Sequence, residues 1–343
     1  MNSVCVLSNT QKPLMPCRPA RARKLLTAGH AAVYRLPPFT IILKDRADGG
    51  TQDIELKVDP GSKTSGVALV GHFEQQGAVA LWGANLNHRG QAIKDALESR
   101  RSLRRGRRGR KTRYRQARFL NRTRKAGWLP PSVESRVNNL EALARKLTAR
   151  CPITSASVEL VKFDTQALVH PEISGTEYQQ GELAGYEVRE YLLEKWRRTC
   201  AYCGAQHVPL QVEHIAPRAQ GGSHRVSNLT LACQPCNQKK GSRPIDEFLT
   251  GQPDVLRKIK AQAKAPLKDA AAVNSARWAL VSRLKQWLPI SVGTGGRTQF
   301  NRMRQGYPKD HWIDAACVGE SGEQVTIREG MKPLTITAKG HGK

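Results

Sequence analysis

Four of the eight cysteines fall into two C-x-x-C pairs, Cys200/Cys203 and Cys233/Cys236. Two such pairs supply four thiolates for a tetrahedral Zn²⁺, and the turn within each pair lets backbone N–H groups point at sulfur. The other four, Cys5, Cys17, Cys151 and Cys317, stand alone. A disulfide framework does not suit a long chain whose first residues lack the apolar core of a secretion signal. Between the two pairs lies Val212-Glu213-His214-Ile215, then Gly221-Gly222 and Ser227-Asn228-Leu229, and Asn237 follows the last cysteine. An imidazole that titrates near neutrality can take a proton from water. Glu213 and Asn237 offer oxygen atoms to a hard cation such as Mg²⁺.

A second set of groups is dispersed. Asp59 ends the alternating run Ile54–Asp59, and Glu159 sits in the strand-like run 155–161. His311 and Asp314 are three residues apart and so share a helix face. Carboxylates that converge on a sheet edge can hold two Mg²⁺ or Mn²⁺ ions about 3.5–4 Å apart for in-line attack on a phosphate.

The charge balance points to a polyanionic partner. The 343 residues include 56 Lys+Arg against 28 Asp+Glu, a formal net charge of +28. Residues 99–133 contain twelve Arg, two Lys and no Asp or Glu, which is half of that excess. Cations with no carboxylate partner repel one another along a helix unless an external anion is present. No stretch has the 18 or more apolar residues of a membrane span. These features fit a cytoplasmic, nucleoid-associated bacterial or archaeal protein, with no membrane partner.

The elements that would position these groups can be read in outline. A basic helix spans Arg18 to Leu26 and is closed by Gly29. Short strands follow at 32–35 and 39–43, then at 54–59, 65–70 and 78–82. The arginine-rich segment reads as a helix weakened by Gly106 and Gly109. An amphipathic helix over 133–149 puts Val133, Val137, Leu140, Ala144 and Leu147 on one face. Residues 186–198 lead into the cysteine-bearing insert. Residues 253–288 are helical, with Trp278, Leu280, Leu284 and Trp287 as core candidates. The loop Gly293-Thr294-Gly295-Gly296 precedes a final helix through His311 and Asp314.

Two resemblances follow from these residues. The acid–His pair with Asn228 and Asn237 looks like the HNH endonuclease motif, a ββα-metal module. That likeness implies phosphodiester hydrolysis with His214 as base, Asn228 orienting it, and Glu213 and Asn237 on Mg²⁺. Lys57-Val58-Asp59-Pro60-Gly61-Ser62-Lys63-Thr64-Ser65-Gly66, Val158-Glu159 and His311-Trp312-Ile313-Asp314 look like the three segments of a split RuvC centre. With Lys12-Pro13-Leu14-Met15-Pro16 near the start and Gly295-Gly296-Arg297-Thr298 before the third segment, nearly all of the chain is similar to the IscB family of transposon-associated, RNA-guided DNA endonucleases.

The resemblance implies an α/β multidomain protein. Its expected parts are an N-terminal PLMP-type domain (1–52), a first RuvC segment (53–98) and an arginine-rich bridge helix (99–126). A second RuvC segment (127–190), an HNH domain with a zinc knuckle (191–248) and a third RuvC segment with a short tail (249–343) complete it. The RuvC centre, an RNase H-like fold with a mixed sheet, would use Asp59, Glu159, His311 and Asp314 to cut the displaced DNA strand. The HNH site would cut the guide-paired strand. Arg100, Arg101, Arg104, Arg105, Arg107, Arg108, Arg110, Arg113, Arg115 and Arg118 would lie on a guide RNA encoded near the gene. The expected assembly is one protein chain with its RNA on a double-stranded DNA target. IscB proteins continue into a basic C-terminal domain beyond the point where this sequence ends. Two alternatives stay open: an unguided HNH endonuclease, and a catalytically idle RNA-binding protein.

Overall fold

A computed structural model of the chain describes residues 2–110, 128–160, 189, 192–193, 195–206, 208–223, 225–265 and 270–340. It divides into two compact units, Met1–Leu160 with Ser275–Lys343, and Val161–Asn274.

The first unit opens with a small sheet. Its elements are β1 (Val4–Leu7), β2 (Pro13–Cys17), α1 (Pro19–Thr27), β3 (Ala31–Arg35) and β4 (Thr40–Leu43), with the strands ordered β2-β1-β4-β3. Proline starts α1, where its fixed φ suits the first turn, and Gly29 at φ +74° follows the cap residue Ala28. Val4, Val6, Leu14, Ala22 and Ile41 fill the core of this sheet.

The main sheet begins with β5 (Ile54–Asp59), β6 (Thr64–Phe73) and β7 (Gly77–Asn87), an antiparallel meander. α2 (Gly90–Gly109) and α3 (Pro131–Thr148) pack against each other and lead to β8 (Ile153–Glu159), which runs parallel to β5. All five apolar residues expected on the inner face of α3 are buried.

The second unit contains a hairpin of β9 (Leu210–His214) and β10 (Leu229–Cys233), then α4 (Gln234–Lys240), α5 (Ile245–Phe248) and α6 (Pro253–Lys264). Leu192, Trp196, Leu231, Ile245 and Ile259 belong to its core. α7 (Ala270–Leu284) returns the chain to the first unit. There follow β11 (Ile290–Gly293), α8 (Gly295–Arg304), α9 (His311–Ala316), β12 (Val325–Thr326) and β13 (Leu334–Thr337). The main sheet has the order β11-β8-β5-β6-β7-β12, with β13 also on β7. β11, β8 and β5 are mutually parallel, so the ends of β5 and β8 carry Asp59 and Glu159 side by side. No described helix is long and apolar enough to cross a membrane.

α9 lies across β5, β6 and β7 at a distance that only glycine permits. A Cβ on Gly66 would stand 1.7 Å from the His311 carbonyl oxygen, and one on Gly83 would stand 2.4 Å from the Trp312 ring. Both ends of the helix are tied down. Asn85 donates to Asp310 at 2.8 Å and accepts from the Trp312 N–H at 3.0 Å. The fully buried Lys57 ammonium donates to the Val318 carbonyl at 2.8 Å.

Lys57 belongs to a buried network. Glu55 accepts from Ser157 and from Ser321 (2.7 Å), meets His72 Nε2 at 3.0 Å, and lies 3.7 Å from Lys57. Burial opposes ionisation of Glu55, but His72, Lys57 and the two serines outweigh it and hold the carboxyl at about 2. Burial brings the Lys57 ammonium down to about 8. The alternation of β5 therefore does not mark a wet face, because helix α9 and its flanks cover the polar side as well.

Several elements differ from the sequence reading. The basic helix starts at Gly90, well before residue 99, and continues through Gly106. The helical stretch 253–288 is two helices, α6 and α7. Trp278 is 41% exposed and Trp287 only half-buried, because α7 turns Ala276, Arg277, Leu280, Val281 and Leu284 inward. The strand expected at 155–161 starts and ends two residues earlier. The final helix is split, with Gly306 at φ +70° and Pro308 separating α8 from α9. In the loop before it, Gly293 ends the unforeseen strand β11 and Thr294 caps α8 by accepting from the Arg297 N–H.

The glycine contact yields a test. Gly66→Ala is expected to destabilise the protein by about 1–3 kcal/mol through overpacking, measured by urea denaturation. An unchanged midpoint would show that α9 can lift off β6 without cost.

Candidate functional site

In the second unit, the two C-x-x-C pairs come together. The four sulfur atoms of Cys200, Cys203, Cys233 and Cys236 all lie within 4.8 Å of one another, and Cys203 and Cys233 are 3.7 Å apart. A tetrahedron with Zn–S of about 2.3 Å has edges of roughly 3.8 Å, so the residues present fit zinc. β10 ends on Cys233, which caps α4, and Cys236 sits in its first turn. Burial resists ionisation of the Cys200 thiol, but the backbone N–H groups of Cys203, Cys233 and Tyr202 outweigh it and bring the group to about 7. A thiolate is thus favoured at Cys200, whereas burial and the neighbouring sulfur atoms push the Cys236 thiol up.

His214 ends β9 next to the buried Glu213. Successive strand residues face opposite sides, and the two side chains separate accordingly. Glu213 is 6% exposed, accepts from Lys240 Nζ at 2.6 Å, and accepts from the Tyr202 hydroxyl through its other oxygen. Lys240, itself 1% exposed, also donates to the His214 carbonyl at 2.9 Å. Burial and then Glu213 push the Tyr202 hydroxyl up, which keeps it a donor. Glu213, expected as a metal ligand, therefore has both oxygens engaged in the interior and joins β9 to α4.

Asn228, expected to orient His214, acts on the chain that follows it. Its amide donates to the carbonyls of Ala216 (3.0 Å) and Ser223 (2.8 Å), and its oxygen accepts from the Ala216 N–H at 2.8 Å. The Ile215 N–H bonds the Asn228 carbonyl at 2.8 Å. These bonds fix the exit from His214 through the backbone. Gly222 completes the loop, since a Cβ there would stand 1.8 Å from the Ala216 oxygen. Asn237, on α4, donates to Gln211 at 2.7 Å.

In the first unit, Asp59 and Glu159 share one cation. Arg277 from α7 meets Glu159 at 2.8 Å and Asp59 at 3.8 Å, and its Nε–H donates to the Pro60 carbonyl at 3.1 Å. All three side chains are largely buried. Asp314 has its own arginine, Arg302 of α8, at 2.7 Å. Burial raises the Asp314 pKa, partly offset by Arg302 and Lys309. His311 is exposed one turn before Asp314. Among the described residues, only the four cysteines form a group of three or more His, Cys, Asp or Glu side chains able to converge on one ion. Asp59, Glu159 and Asp314 are thus not gathered as one ligand set, and with Arg277 and Arg302 on them they do not fit a divalent cation as arranged.

Arg277, Arg302, Tyr202 and Lys240 were not singled out from the sequence. Arg277 carried a readable signal: it occupies a position on the apolar stripe of α7, where a charge needs a partner. Of the ten arginines expected on RNA, those from Arg100 to Arg110 are exposed along α2 and at its end. Arg113, Arg115 and Arg118 lie outside the described residues.

The model of the RRXRR protein family matches residues 4–181, more than half of the chain. The chain belongs to the RRXRR family. Residues 200–243 of this RRXRR protein match the HNH endonuclease model, which spans both cysteine pairs, Glu213, His214, Asn228 and Asn237. No protein of curated function matches it. Among solved structures it is similar to the Type II-C Cas9 enzyme from Actinomyces naeslundii, at 19% identity over 56% of this chain and 28% of that one, with a TM-score of 0.21. It is also similar to Streptococcus thermophilus Cas9 in complex with the GGAA PAM, at 14% identity over 56% and 26%, with a TM-score of 0.24. The RRXRR protein spans about a quarter of the length of these structures.

Two outcomes test the HNH domain. Lys240→Met strands a buried carboxylate and is expected to cost about 3–5 kcal/mol, most of it recovered by adding Glu213→Leu; thermal unfolding of both variants checks this. Cys233→Ser is expected to abolish the zinc found by elemental analysis of the purified chain.

Proposed function

We propose that this RRXRR protein is a nucleic-acid-cutting enzyme, and specifically an RNA-guided DNA endonuclease of the IscB type. The observation that carries the reading is the order of parts. An HNH endonuclease domain is inserted after the strand bearing Glu159 and before the helix bearing Asp314. An exposed arginine helix, α2, follows the strand meander that begins with Asp59. The main sheet supports an RNase H-like, RuvC-type centre: its second strand, β6, alone is antiparallel to β5 among the three parallel neighbours β5, β8 and β11.

On this reading, sequence is read by pairing between guide RNA and target, and the protein grips backbone and shape. The forked guanidinium groups of α2 suit phosphate oxygens. His214 acts as general base toward water in the HNH site, and Asn228 fixes its loop. Asp59, Glu159, His311 and Asp314 form the second cutting centre. At the HNH site a divalent cation would supply charge stabilisation at the cleaved phosphate. The zinc held by Cys200, Cys203, Cys233 and Cys236 is structural. A second reading, an endonuclease that cuts through HNH alone, is favoured by the two arginines on the RuvC-type carboxylates.

Strand-resolved cleavage separates these readings. RNA that co-purifies with the chain is sequenced and its target is offered as a duplex labelled on both strands, with Mg²⁺. His214→Ala is expected to slow cutting of the guide-paired strand by about 10²–10⁴-fold and to spare the displaced strand. Asp59→Asn is expected to do the reverse. If His214→Ala stops both cuts and Asp59→Asn stops neither, the HNH-only reading holds. Heterogeneous RNA of no common sequence would sink RNA guidance.

A further inference from the structure

Two of the four isolated cysteines meet inside the first unit. Cys5 comes from β1 and Cys151 from the turn between α3 and β8, 146 residues later, and their sulfur atoms are 3.2 Å apart. Successive residues of β1 face opposite sides. Val4 and Val6 belong to the core that includes Ala22 of α1, so Cys5 points away from that core and meets the α3–β8 turn. Both thiols are buried, at 1% and 0% exposure. Cys151 also forms part of the wall of a cleft lined by Lys12, Pro13, Asp48, Thr148 and Pro152, where Lys12 and Asp48 make an exposed ion pair. A small solute in that cleft is next to the pair. The contact also polarises it. Hydrogen bonding from Cys151 lowers the Cys5 thiol, burial opposes this, and the Arg150 guanidinium adds to the lowering. The same contact, with burial, pushes the Cys151 thiol up. A thiolate in contact with a thiol is the arrangement from which disulfides form. Among the described residues, the other contact between thiols lies within the zinc tetrahedron. Cys17 pairs with Val4 on the opposite face of the small sheet, and Cys317 lies in the core beside α9.

We propose that Cys5 and Cys151 are an oxidation-sensitive pair that hydrogen peroxide closes to a disulfide, and that this bond staples the small sheet to the main one. The Cys5 thiolate attacks one peroxide oxygen, the O–O bond breaks, and the released hydroxide takes up the proton that Cys5 has lost and leaves as water. Cys5 is then a sulfenic acid. The Cys151 sulfur attacks the Cys5 sulfur, the S–O bond breaks, and the hydroxide leaves with the Cys151 proton as a second water. Two thiols thus give up two electrons and two protons, and one peroxide becomes two waters. Existing bonds already hold the two sheets in the geometry that this needs. The Ser3 N–H donates to the Leu81 carbonyl at 2.8 Å, Asn2 exchanges bonds with Gly83 at 3.0 and 3.1 Å, and Arg150 donates to the Pro37 carbonyl at 2.8 Å. A covalent link between residues so distant in sequence favours the folded chain, chiefly by restricting the unfolded one. In a reducing compartment the bond is transient and differs from a structural framework. Cys151 precedes β8, whereas Glu159 ends it, so the pair stands apart from the carboxylates and the inference is independent of the cutting reaction.

The test treats the folded full chain, purified with zinc, with stoichiometric hydrogen peroxide. The remaining thiols are then alkylated under denaturing conditions, and the chain is digested without reductant for mass spectrometry. The expected product is the Cys5 peptide joined to the Cys151 peptide, lighter than their sum by two hydrogen atoms and separated again by dithiothreitol. Recovery of both cysteines alkylated, of Cys5 as a sulfinic acid, or of cross-links among the zinc cysteines alone overturns the proposal. The second measurement is thermal unfolding. The oxidised chain is expected to melt about 5 °C or more above Cys151→Ala treated in the same way, beyond any difference between the two when both are reduced. Dithiothreitol should abolish that excess. A cross-linked chain whose melting temperature is unchanged overturns the staple. Should Cys151→Ala fail to fold, the comparison is made on the unaltered chain before and after dithiothreitol, and the cross-link itself is read without any variant.

Discussion

Carboxylates that stand together in a protein interior need cations, and the folded chain supplies one to each from a different part of the sequence. Glu159 and Asp59 take Arg277, Asp314 takes Arg302, and Glu213 takes Lys240. Arg277 joins α7 to β8 across 118 residues, while Arg302 and Asp314 join the consecutive helices α8 and α9. The pairs are weak sources of net stability, since desolvating both charges costs about as much as their attraction returns. Their effect is on geometry. Removing one partner strands the other, so the register of these elements is enforced by what a mismatch would cost.

The backbone permits these pairings by close approach. Gly66 and Gly83 let α9 settle onto the meander, and that sets the height of Asp314 above the sheet. Lys57 and Asn85 then hold its two ends. The strand β5 thus does three things at once. Ile54, Leu56 and Val58 fill the core on one face, Glu55 and Lys57 tie the other face to β8 and to the end of α9, and Asp59 ends the strand at the candidate site. An alternating six-residue run can do this only because both of its faces are covered.

What could be read from the sequence was local. Two cysteine pairs announce their tetrahedron through spacing alone, and the 3.6-residue stripe of α3 gave its buried face. Asp59 could be placed at a strand end because alternation marks its strand, whereas Glu159 was expected inside a strand that the structure ends two residues sooner. Long-range partners leave no such mark. Nothing around Arg277 names Glu159, 118 residues earlier, and Trp278 beside it was the more obvious core candidate. Glu213 was misleading for a related reason. Its residue type suits a cation, but the strand period turns it inward from His214, and Lys240 sits in a basic run that reads as surface. The four-residue β11 is too short to show a period, and the break between α8 and α9 needs Gly306 and Pro308 together.

The distribution of charge follows from the same pairings. With the candidate-site carboxylates neutralised internally, the arginines exposed along α2 face no compensating field from these centres. A polyanion approaching a chain whose formal net charge is +28 therefore does not meet the negative patch that unpaired carboxylates would create.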